Sequence, residues 1–79
     1  MERLLKLLDK AGIEWWEEWI TINEPLYSRK GYVLQDYQEY DGWCVELQHK
    51  DLVINFLRGM QIEFESLIED DVFIFFQKS

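Results

Sequence analysis

Tyr32-Val33-Leu34-Gln35-Asp36-Tyr37-Gln38-Glu39-Tyr40-Asp41-Gly42-Trp43-Cys44-Val45-Glu46-Leu47-Gln48-His49 is the stretch on which the fold class turns. Its first part, Tyr32 to Tyr37, is rich in aromatic and β-branched residues and reads as a strand. Asp41-Gly42 is a strong two-residue hairpin signal, because glycine adopts positive φ without steric cost. After it, Trp43, Val45 and Leu47 alternate with Cys44, Glu46 and Gln48, the pattern of a strand with one apolar and one largely polar face. The sequence therefore predicts two antiparallel strands joined at Asp41-Gly42.

Downstream, Leu52, Val53, Phe56, Leu57, Met60, Phe64, Leu67 and Ile68 recur at helical spacing, with Asp51 placed to cap the first free amides. The spacing predicts a second helix around 51–69, with Ile54 and Ile62 off its face. The alternative is that Gly59 ends the helix near Arg58 and that Met60 to Glu65 alternates as a strand. Val72-Phe73-Ile74-Phe75-Phe76 is apolar on both faces, as in a central strand or one covered by a partner.

Upstream, Leu4, Leu5, Leu8 and Ala11 fall on one face of a short N-terminal helix, and Gly12 suits the left-handed position that ends it. Trp19 to Asn23 is expected to be extended. Asn23-Glu24-Pro25 and Ser28-Arg29-Lys30-Gly31 carry turn residues, so a connection is expected between about 24 and 31. The predicted fold is α+β: one compact domain spanning 1–79, with an antiparallel sheet of three to four strands packed against the two helices.

Composition narrows the function. Sixteen Asp and Glu against 8 Lys and Arg give a net charge of −8, which opposes direct binding to nucleic acid or to anionic lipid. Hydrophobic residues make up 48% and aromatic residues 16% of 79 positions, far from the composition of disorder. No run approaches the roughly 18–20 apolar residues of a membrane span. Charges interrupt the leucines of Met1 to Lys10, so they do not form the apolar core of a signal peptide. A lone Cys44 makes no internal disulfide, and the cytoplasm is the expected compartment.

Catalytic constellations are not legible. Cys44 and His49 are each the single residue of their kind and sit on opposite faces of a strand, which does not make a zinc site. Asp36, Glu39 and Asp41 lack calcium-loop spacing. Ser28, Ser66, Ser79 and Cys44 would have to share His49 as a base. The expectation is a protein that is not an enzyme, with no metal, cofactor-binding or catalytic residues.

The acids are distributed unevenly. Glu14, Glu17, Glu18 and Glu24 lie between Ala11 and Ser28, Asp36, Glu39, Asp41 and Glu46 between Gly31 and Gln48, and Glu63, Glu65, Glu69, Asp70 and Asp71 between Gly59 and Gln77, all without an intervening Lys or Arg. Arg3, Lys6 and Lys10 are gathered on the first helix. Such a field can imitate a phosphate backbone and attract a basic groove. Trp15-Trp16-Glu17-Glu18-Trp19 and Asp36-Tyr37-Gln38-Glu39-Tyr40-Asp41 mix acids with the aromatic residues that interfaces favour. Three tryptophans within five residues cannot all enter one small core, so at least one is expected at the surface.

In size, acidity and lack of catalytic groups, the chain resembles the small accessory inhibitors of phages and mobile elements, among them anti-CRISPR and nuclease-immunity proteins. That resemblance is compositional and assigns no residue roles. The leading expectation is an interaction module that inhibits a basic nucleic-acid-handling protein, such as a nuclease or CRISPR effector, as a nucleic-acid mimic. Its charged contacts would be Glu14, Glu17, Glu18, Asp36, Glu39 and Asp41, and its anchors Trp16, Trp19, Tyr37 and Tyr40. The competing expectation is a structural subunit or homodimer in which Val72 to Phe76 pairs across a two-fold axis and acidity serves solubility.

Overall fold

The first helix forms where the sequence places it. In the computed structural model, which describes residues 1–27 and 33–78, and side chains for 1–23 and 37–78, α1 spans Glu2–Lys10 and buries Leu4 and Leu8. The strands β1 (Trp15–Tyr27) and β2 (Val33–Glu46) follow, then a 3-10 turn at Leu47–His49, α2 (Lys50–Gly59), β3 (Glu65–Glu69) and β4 (Val72–Phe76). They form one four-stranded antiparallel sheet in the order β1-β2-β4-β3. The α+β class and the antiparallel sheet are as the sequence predicts.

Both helices stop by the same device. Ile13 N–H donates to the Leu8 carbonyl and Ile62 N–H to the Leu57 carbonyl, each at 2.9 Å. The residue before each donor has positive φ, Gly12 at 73° and Gln61 at 57°. This is the Schellman ending, in which an apolar residue after the left-handed position folds back on the helix. The helix predicted over 51–69 thus ends at Gly59, and the left-handed residue is Gln61. The apolar spacing persists beyond Gly59, but Phe64 to Ile68 serves an edge strand and its approach. Asp51 is also not the cap: α2 begins one residue earlier, leaving Asp51 in the first turn, where its charge favours the helix dipole. Gln61→Gly is expected to raise stability by about 0.5–1 kcal/mol, and Gly12→Ala to lower it by about 1 kcal/mol, read as shifts in the urea midpoint.

Asp41-Gly42 is not a turn. Both residues lie inside β2, paired with Trp19 and Glu18 of β1 and, for Gly42, with Phe76 of β4. Gly42 does not have positive φ. The position needs glycine for space, because the Ile20 side chain lies across it: a Cβ there would overlap Ile20 Cδ1 and sit 2.9 Å from Ile20 Cγ1. Residues 24–27 of the predicted connection belong to β1, with Pro25 tolerated because β1 is an edge strand. The rest of that connection lies outside the described residues.

The register sorts the side chains into two faces. Trp15, Val45, Phe73 and Ile68 form a row across all four strands on the helix-covered face, beside Trp43 and Phe75. The Trp43 and Phe75 rings are 6.2 Å apart, and Phe75 and Phe73 5.9 Å. Leu4, Leu8, Ile13, Val53 and Leu57 close this core. Trp15 Nε1–H donates to Asp9 Oδ1 at 2.9 Å and ties β1 to α1.

On the opposite face, Trp16, Cys44, Ile74 and Leu67 form the corresponding row. Ile20, Cys44, Ile74 and Phe76 are buried there, flanked by Trp16, Ile22, Tyr40, Leu67 and Val72. The Tyr40 ring lies 5.1 Å from that of Phe76. Cys44, expected on a polar face, is instead fully buried. Val72 to Phe76 is a central strand with a neighbour on each side. Its edges are therefore occupied within the protomer and cannot pair across a two-fold axis.

Candidate acidic-aromatic interface

Antiparallel pairing decides which predicted contacts meet. β2 gains its second neighbour, β4, only over Gly42–Glu46. Toward residue 33 it has β1 alone, and the two strands continue as a ribbon in a molecule 52 Å along its longest axis. Opposite residues in such a pair project from the same face. Trp19 stands opposite Asp41, Thr21 opposite Glu39, Asn23 opposite Tyr37 and Glu17 opposite Trp43.

Glu17, Trp19, Tyr37, Glu39 and Asp41 therefore share one face of the ribbon, and all five are exposed. Trp19 is 76% and Tyr37 63% accessible. This is the helix side of the sheet, but the helices reach only as far as the Trp15 and Trp43 rows. Two large aromatics and three carboxylates are thus presented together, the composition that meets Arg and Lys through paired charge and ring stacking.

The remaining predicted contacts lie elsewhere. Trp16 and Tyr40 are half-buried on the opposite face, where they cover the second core cluster. They act as structural members of the sheet and are only partly accessible. Glu18 is on that face too, and accepts a 3.1 Å hydrogen bond from Trp16 Nε1–H. Glu14 is exposed in the segment before β1. Asp36 pairs with Glu24 in the backbone register, but its side chain lies outside the described residues. Trp19→Ala is expected to change stability by no more than about 0.5 kcal/mol, whereas Trp16→Ala costs about 2 kcal/mol or more in the same urea titration.

Cys44 is 0% accessible. Burial, the nearby Glu18 carboxylate and the hydrogen bond the thiol donates to it push its pKa from 9.0 up to about 11. The native state therefore favours the protonated thiol. Its stabilising contribution is complete below pH 9 and is lost as pH rises from 9 to about 11, at up to roughly 1.4 kcal/mol per pH unit. Urea midpoints across that window are expected to fall more steeply for the parent than for Cys44→Ala. In the folded protein the thiol resists alkylation at neutral pH, and it reacts freely once unfolded.

The chain forms a small α+β domain whose described helices include none long and apolar enough to cross a membrane. It matches no family model, no curated protein and no solved structure.

Proposed function

We propose that the protein is an interaction module that binds and inhibits a basic nucleic-acid-handling protein, such as a nuclease or CRISPR effector, by occupying its nucleic-acid groove with the acidic, aromatic face of the ribbon. The observation that carries this reading is the convergence of Glu17, Trp19, Tyr37, Glu39 and Asp41 on one exposed face. A row of carboxylates resembles the charge presented by a phosphate backbone, and the rings supply buried area at low entropic cost. Binding is non-covalent and needs no catalytic residue. The cytoplasm, where such a partner works, is the proposed compartment.

The test is capture of partners from a host lysate on the immobilised protein, elution with rising salt, and competition with free DNA or RNA. A nucleic-acid-binding protein eluting at intermediate salt and displaced by nucleic acid supports the reading, because attraction between exposed charges weakens as salt shortens the screening length, about 10 Å at 0.1 M. Retention that neither salt nor nucleic acid disturbs overturns it, as does recovery of the protein alone. Trp19→Ala is expected to weaken the captured complex by about tenfold or more.

A further inference from the structure

β1 and β3 occupy opposite ends of the strand order, yet both wall a single cleft of about 410 Å³. Glu18, Trp19, Ile20 and Thr21 form one wall, Leu67, Ile68 and Glu69 the other, and Ile74 of β4 also lines it. A sheet face would contribute alternate residues only, since successive side chains point to opposite sides. Runs of consecutive residues on both walls place segments of β1 and β3 along the cleft, with Ile74 of the central β4 between them. Within the sheet, β1 pairs only with β2 and β3 only with β4. Each outer edge therefore offers backbone N–H and C=O groups to a further strand.

The cleft has a definite chemical character. Leu67 gives it a half-buried apolar surface beside the buried Ile20 and Ile74, and Ile68 on the wall is 52% accessible. Glu18 and Glu69 are in the walls, with Glu17 and Asp70 beside them in sequence. Neither 11–28 nor 59–77 contains a Lys or Arg. A second copy of this chain would bring glutamates against glutamates, which like-charge repulsion opposes.

We propose that the cleft receives an extended, lysine- or arginine-bearing segment of the partner protein, added as a strand between the edges of β1 and β3. This rests on the reading that the partner is basic, and it adds how the partner is held. Main-chain hydrogen bonds supply affinity, while alternate side chains select the sequence. Apolar residues of the segment face Leu67 and Ile68, and its cations meet Glu18 and Glu69.

The test uses a short capped peptide of alternating Lys and Val, the same peptide N-methylated at alternate backbone amides, and amide hydrogen exchange of the full chain. The unmodified peptide is expected to bind and to protect amides in 18–21 and 67–69. N-methylation, which keeps the charge but removes strand hydrogen bonds, is expected to weaken binding at least about tenfold, and so is Ile68→Lys with Glu69→Lys. Far-UV circular dichroism confirms that the variant is folded. Equal binding of both peptides, protection confined to other segments, failure of the unmodified peptide to bind, or dimerisation through these edges without peptide each overturns the proposal. If the cleft fails while nucleic acid still displaces the captured partner, the functional reading stands. If the peptide pairs in the cleft but nucleic acid displaces no partner, that reading falls and the cleft remains.

Discussion

Gly42→Val is expected to cost about 3 kcal/mol, a large share of the roughly 4–12 kcal/mol that holds a domain of this size together. The Ile20 side chain crosses the position, and the Glu18 carbonyl oxygen would lie 3.2 Å from the new Cβ. Ile20 is itself buried and packed with Cys44, Ile74 and Phe76, so it has little room to withdraw. Ile20→Ala alone should cost about 2–3 kcal/mol through the cavity it leaves. The double variant should be hardly less stable than Ile20→Ala, because the valine methyls then fill the vacated space. That coupling of about 2 kcal/mol or more, measured by urea unfolding of all four proteins, is the signature of a steric role. If Gly42→Val is as stable as the parent, or if the two losses simply add, glycine is there for another reason.

Lysine at Glu17, Glu39 and Asp41 together is expected to weaken the captured complex about a thousandfold while leaving the fold intact. All three are exposed and lie on one face of the ribbon. Close interfacial charge pairs couple by about 1.5 kcal/mol or more each, and reversal turns each attraction into repulsion. The matched control places lysine at Glu2, Glu63 and Asp71, which are exposed and lie outside the β1–β2 ribbon, on α1, before β3 and in the β3–β4 turn. It makes the same change in net charge and should cost less than about tenfold, since only long-range steering is affected. Salt titration of the two variants, with affinity read by calorimetry, distinguishes a localised face from diffuse acidity. Equal losses would mean that total charge, and no particular face, governs binding.

The sequence is legible where one local signal acts alone. Leu4, Leu8 and Gly12 define α1 and its end, and Val72 to Phe76 reads as a strand covered on both faces. It misleads where a residue has two physical uses. Glycine serves turns through positive φ and close approaches through its missing Cβ, and Asp41-Gly42 looks the same in both; only the Ile20 side chain, brought across by β1, distinguishes them. The helical period across Gly59 is an accident of two elements in phase, and Gln61 accepts the left-handed conformation that glycine signals at Gly12. The charged candidates could be collected from the sequence. Dividing Trp19 and Tyr37 from Trp16 and Tyr40 required the β1–β2 register, because one residue of slip exchanges the faces.

Stability and display fall on different residues of the same two strands. β2 joins the body of the sheet only from Gly42 onward, and Ile20 and Tyr40 are among the last ribbon residues to touch the second core cluster. At Thr21, Asn23, Tyr37 and Glu39, which are exposed and farther out, a substitution that preserves pairing alters what the ribbon presents while the packing of Phe73, Phe75 and the helices is unchanged. On the proposed function, mutations that retune recognition are largely released from the constraint of keeping the chain folded. A lineage pursuing a partner that changes under selection could follow it along the ribbon, one exposed residue at a time, without first accumulating stabilising changes in the core.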